Sequence, residues 1–343
     1  MTQRPSWIVR ARLFLQPLAP VGRFLLRWGL RLLGPALFAY FVWSIWSELS
    51  QISEILRNIY WPPLILSVVL VVPFVLLKGW RWQIILDDLG QRVPWRKLTL
   101  YYALGIFMGA AMPGQAGDFF KAWYLKEDGY DLGAALVSTV VDRIFDMLIM
   151  ALLALSGLYL LWRYFPGVTL VLVLVGMVAA IVFALSVLLS RRWRNWLIDR
   201  VLRYLIPASI RRLLGEHGAR AYLDRFFLSW RNLALGTAIS LASFSITFFR
   251  LWLLIPAIGK SLPVPIFVPT MALMALGSLL SVAGLGTREF VLFNILGASG
   301  IGWSDAEILS LSLLILALTI ENVVLGLPLY LLRPLGSRKQ GEG

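Results

Sequence analysis

The sequence predicts an all-α fold, a polytopic transmembrane helix bundle with two re-entrant hairpins in an inverted repeat. Three observations carry that prediction. Of the 343 residues, 59% are hydrophobic and 15% charged, against about 25% charged in an average soluble domain. That is too little charge to cover a surface facing water. The apolar residues are gathered into runs long enough to cross a bilayer core, near 32–47, 61–77, 133–161, 168–189, 232–258, 266–283 and 306–332. The bases, 32 Lys and Arg against 18 Asp and Glu for a net charge of +14, cluster between those runs. A basic chain of this kind is matched to a membrane rather than to nucleic acid, which needs its bases on a reachable surface.

The chain opens on a basic interfacial segment, 1–31. Arg23, Arg27 and Arg31 recur every fourth residue and share one helical face, with Phe24, Leu25, Trp28 and Leu32 on another. This is the pattern of a helix lying on an anionic leaflet. Arginines and prolines interrupt the apolar core that a cleavable signal requires. A transmembrane domain follows over 32–333, with a first half at 61–161, a second half at 232–332 and a basic loop at 190–231 between them. Residues 334–343 form a tail. Within the loop, Arg191-Arg192-Trp193-Arg194-Asn195-Trp196 reads as a second interfacial helix.

Charge sets the orientation. Twenty-six bases fall in the amino-terminal segment, 78–97, 119–131, 191–231 and the carboxyl tail, and three (Arg57, Arg163 and Lys260) fall on the other side. The positive-inside rule places the 26, and with them both termini, in the cytoplasm. The parity closes only if 98–131 enters and leaves on the inner side and 266–305 enters and leaves on the outer side. These two stretches are therefore the hairpins. The halves then repeat span, hairpin, span in opposite orientation, the plan of alternating-access transporters. The tips carry the turn residues: Pro113, Gly114 and Gly117 in the first, Gly284 and Gly286 in the second.

Ionisable side chains at membrane depth cost about 2.5–3.5 kcal/mol each on insertion scales, so each needs a partner or a watery cavity. They are Asp118, Lys121, Asp142, Arg143, Asp146, Arg250, Arg288, Glu289 and Glu321. Asp142 and Asp146 stack one turn apart on a helical face, while Arg143 points elsewhere, towards a partner such as Asp118. Gly117 before Asp118 fits a helix start capped by Asp. Arg143 and Arg288 are the expected head-group contacts, since a guanidinium forks onto phosphate, with Lys121 and Arg81 beside them. Asp118, Asp142, Asp146, Glu289 and Glu321 are expected to orient or pair with these cations. Arg81, between Trp80 and Trp82, reads either as a snorkelling base in an aromatic belt or as a lipid contact.

Several chemistries are set aside. The chain has no cysteine and a single histidine, His217, which removes thiol chemistry and Cys- or His-rich metal sites. No Walker sequence is present, so P-loop ATP hydrolysis is not expected. Asp142 and Asp146 make half of a carboxylate metal site without the other half. No cofactor and no metal is expected.

Trp80-Arg81-Trp82, then Pro113-Gly114-x-x-Gly117-Asp118-x-x-Lys121, then Val141-Asp142-Arg143-x-x-Asp146, then Gly284-Leu285-Gly286-x-Arg288-Glu289 resemble the flippase-like family. This is the membrane domain of lysylphosphatidylglycerol synthases and of stand-alone homologues. The resemblance spans about 30–333 and departs at Val282-Ala283, where the family often has Pro-Gly, and at Lys121, where it often has Arg. It implies movement of a phospholipid or polyprenyl-phosphate-linked lipid between leaflets of the cell membrane, with anionic lipids as partners. The soluble aminoacyl-transferase domain of the synthases is not expected, because the chain ends soon after its last span. A non-catalytic accessory subunit for an envelope-biosynthesis enzyme is the alternative function, and a membrane-embedded lipid-phosphate enzyme a third. The oligomeric state is open.

Overall fold

The computed structural model describes residues 49–110, 118–161, 229–278, 285–297 and 299–333, with scattered positions between 171 and 200. The amino-terminal segment, the apolar run at 32–47, most of the run at 168–189, most of the basic loop and the turn residues Pro113, Gly114, Gly117 and Gly284 lie outside the described residues. Those described are helical, with no strand among them.

Helix α1 (Leu49–Arg57) precedes α2 (Trp61–Val69), which continues almost without interruption into α3 (Val71–Asp88). Two prolines open α2, where their missing N–H groups cost nothing. The interruption at Leu70 follows from Pro73, which cannot donate to Val69 and whose ring crowds that carbonyl. The helix thus runs 11 residues beyond the apolar stretch ending at 77, and Lys78 and Arg81 stand inside it rather than in a cytoplasmic loop.

Helices α4 (Trp95–Ala110) and α5 (Phe120–Glu127) lie antiparallel. Lys97 reaches Asp128, Tyr101 stacks on Tyr124 with ring centroids 5.4 Å apart, and Gly105 sits against Lys121. Gly129, at φ +85°, ends α5 in a left-handed turn that an L side chain would strain. No side chain caps the start of α5. The expected Asp118 cap is absent because that carboxylate pairs with Arg143 instead. Helix α6 (Leu132–Leu161) completes the first half.

The second half begins at α7 (Trp230–Trp252), capped by the Ser229 hydroxyl accepting from the Asn232 amide, and continues through the short α8 (Leu254–Ala257). Helices α9 (Val264–Ser278) and α10 (Thr287–Leu296) fold back on one another, with Gly277 facing Thr287 and Val291. Helix α11 (Asp305–Leu332) begins at a capping box of Ser304 and Glu307.

Contacts cross between the halves. Arm α9 packs along α6, arm α4 packs along α11, and α3 lies against α7. Gly236 of α7 makes room for the Phe145 ring of α6, and Gly326 of α11 for Phe107 of α4. The helices over Trp61–Asp88, Trp230–Ala257 and Asp305–Leu332 are each long and apolar enough to cross a membrane. Only 28% of the most apolar window of the first is buried in protein, so its outer face is left for a non-aqueous solvent. The protein is an all-α membrane helix bundle.

Candidate functional site

Two buried ionic networks flank a cavity of about 330 Å³ between the halves. The first is built on α3 and α6. Arg81 is fully buried; its Nε donates to Asp142 Oδ1 at 2.8 Å, and one terminal nitrogen donates to Asp146 Oδ1 at 2.6 Å and to Ser240 Oγ at 2.8 Å. The other terminal nitrogen donates to the Asp142 carbonyl at 3.1 Å and lies 2.6 Å from Asp142 Oδ1. Four hydrogen bonds and two carboxylates thereby hold the guanidinium inside the protein. Arg81 neither snorkels nor offers a donor to a ligand; the i,i+4 pair Asp142 and Asp146 draws it inward.

Lys121 is equally enclosed. Its Nζ donates to Asp142 Oδ2 at 2.7 Å and lies over the Tyr102 ring, 4.0 Å from its centroid. Tyr102 also donates to Asp142 Oδ2, at 2.8 Å. Lys121 is therefore held behind the cavity, not in it, and Asp142 holds Arg81 and Lys121 rather than serving Arg143. Both carboxylates of this network are engaged by cations.

Lys78 completes the network and does line the cavity. Its ammonium is ion-paired with Asp146 and sits 4.9 Å from the Phe244 ring centroid and 5.6 Å from that of Phe74. Arg143, also lining the cavity, pairs with Asp118 at the start of the turn into α5, the partnership its helical phase predicts.

The second network belongs to the other half. Glu289 Oε2 accepts the Gly286 amide at 2.6 Å, and Glu289 Oε1 accepts from Arg288 Nε at 2.9 Å and from an Arg288 terminal nitrogen at 2.6 Å. Arg288 Nε also donates to Ser312 Oγ at 2.9 Å. Gly286 holds φ +79°, so the turn into α10 is one that glycine alone adopts without strain. Arg250 donates to Glu321 Oε2 at 2.8 Å and to the Ser67 carbonyl at 2.6 Å. Arg288 and Arg250 both line the cavity.

Residues at the end of α4 and just before α5, Gly109 and Asp118, line the cavity together with Ser278 at the end of α9 and Arg288 in the first turn of α10. A chamber lined by both apolar side chains and four cations can take an amphiphile with an anionic group. The family model for the lysylphosphatidylglycerol synthase transmembrane region matches residues 31–326. The chain belongs to that family. No curated protein and no solved structure matches it.

Membership in the lysylphosphatidylglycerol synthase transmembrane-region family establishes a membrane protein connected with lipid. Of the cations expected at the site, Arg143 and Arg288 reach the cavity, and Arg81 and Lys121 stand behind it. Lys78 is the residue that sequence reasoning missed. The signal was present: Lys78 and Arg81 are i,i+3 on a helix, facing the i,i+4 pair Asp142 and Asp146. Arg250 stood out as a membrane-depth charge without a role; it lines the cavity as a fourth cation.

Proposed function

We propose that the protein moves a phospholipid or polyprenyl-phosphate-linked lipid between leaflets of the cell membrane as a transporter, not as an enzyme. The head group would pass through the cavity while the acyl chains stay in the bilayer. The observation that carries this reading is the convergence of Lys78, Arg143, Arg250 and Arg288, two from each half, on one cavity. A purely structural set of ion pairs has no need of a shared open space. The crossed packing, α9 on α6 and α4 on α11, supports an inverted repeat in which one half rocks on the other. In this reading the hairpins are re-entrant and both termini are cytoplasmic.

The test is lipid movement by purified protein. Vesicles reconstituted with the protein and carrying a fluorescent phosphatidylglycerol are exposed to a membrane-impermeant quencher. Transport predicts quenching of the inner-leaflet pool as well as the outer, and protein-free vesicles set the baseline. Protection of the inner pool equal to that baseline, with correctly folded protein, removes the transport reading.

A further inference from the structure

The ion pairs around the cavity do not balance. Among the described residues, six cations (Lys78, Arg81, Lys121, Arg143, Arg250 and Arg288) meet five carboxylates (Asp118, Asp142, Asp146, Glu289 and Glu321). Neither hairpin tip adds a charged residue, since 111–117 and 279–284 contain none. Arg143, Arg250 and Arg288 each have a carboxylate of their own. The excess lies in the first network, where Lys78, Arg81 and Lys121 share Asp142 and Asp146.

Within that network the three cations are not equivalent. Arg81 is fully buried behind the cavity and held by four hydrogen bonds, and Lys121 is sealed by Tyr102, Trp82 and Asp142. Lys78 is the member that lines the cavity. Among the described residues its one hydrogen-bond partner is Asp146, although an ammonium carries three donors. That carboxylate oxygen is also shared with Arg81.

We propose that Lys78 is the charge-selecting residue of the cavity, and that the site is matched to a head group of one net negative charge, a phosphodiester without a compensating amine. This rests on the transport reading for its setting but concerns which lipid is admitted. A lone excess cation in a low-dielectric chamber gains most from a single anion. A zwitterionic head group brings an ammonium beside Lys78 along with its phosphate, and a net-positive aminoacyl head group adds to the surplus.

The test uses vesicles containing full-length protein and three labelled lipids: phosphatidylglycerol, phosphatidylcholine and an aminoacylated phosphatidylglycerol. Wild-type protein is expected to move the anionic lipid about tenfold faster than either of the others, the low end for one buried charge pair. In Lys78→Gln, which keeps a donor for Asp146, that preference should fall to about twofold or less, and Lys78→Arg should restore it. Equal movement of all three lipids by wild-type protein would overturn charge selection and leave transport standing. If no lipid moves, binding decides. A thermal shift with dioleoylphosphatidylglycerol and not dioleoylphosphatidylcholine, lost in Lys78→Gln, would uphold the selective site without transport. The absence of that difference would refute it. The wild-type comparisons stand even if a variant does not fold.

Discussion

Asp142 and Arg143 are neighbours in sequence with opposite burdens. Asp142 is fully buried and holds two cations and a phenol, so its loss leaves Arg81 and Lys121 short of a counter-charge. Breaking such a pair from one side costs about 3–5 kcal/mol. Asp142→Asn is therefore expected to lower the thermal unfolding midpoint in detergent sharply, or to abolish recovery of folded protein. Arg143 keeps 24% of its side chain exposed towards the cavity. Arg143→Gln should unfold near the wild-type temperature yet lose at least about tenfold in lipid movement, as expected for a lost charge-assisted contact to phosphate. Arg143→Lys keeps the charge but not the fork and should fall between. Equal losses of stability in Asp142→Asn and Arg143→Gln would show that both belong to the scaffold.

Helices α3 and α4 meet so closely at Gly79 that a Cβ there would lie 2.9 Å from the Thr99 backbone. Gly79→Val should separate the two helices and cost about 1–3 kcal/mol, read as a lower unfolding midpoint with little change in which lipid is preferred. The far end of the hairpin is tied by Asp128, which accepts from Tyr101, Lys97 and Arg333. Burial pushes its carboxyl up, but these hydrogen bonds outweigh burial and hold it below its ordinary value. A depressed carboxyl stabilises the fold above its unfolded value, near 4, and that stability is lost as pH falls through the folded value. Melting between pH 7 and pH 3 should therefore show a loss below about pH 4 that is smaller in Asp128→Asn. These elements also mark what hydropathy could and could not reveal. The ends of α4 and α9 were legible because apolar runs stop at Gly-rich segments. The extent of α3 was not, because a run of apolar residues is closed by its first charge. Lys78 and Arg81 are tolerated within the helix only because Asp142 and Asp146 wait on α6, more than sixty positions along. Partners so distant leave no local trace. Arg143 and Asp118 were easier, since the helical phase of Arg143 already turned it away from Asp142.

At the scale of the whole molecule, the basic loop and the carboxyl end share a side if the charge distribution governs insertion. Reporter fusions at residue 210 and after residue 343 should give the same cytoplasmic signal, and opposite signals would dissolve the repeat along with the topology. The crossed packing also bears on how the protein is made. Arm α4 is complete at Ala110, yet α11, the helix it lies against through Phe107 and Gly326, ends only at Leu332. At roughly 5–20 residues per second the ribosome needs on the order of ten to forty seconds to supply the missing neighbour. Through that interval the face of α4 that meets α11 lies against lipid or a membrane chaperone. The partners of α3 and α6, helices α7 and α9, emerge earlier, so the seam between the halves closes in steps and α4 against α11 is the last of them. A chain stopped after 161 should be short-lived in cells, and supplying 229–343 as a separate polypeptide should rescue both pieces together.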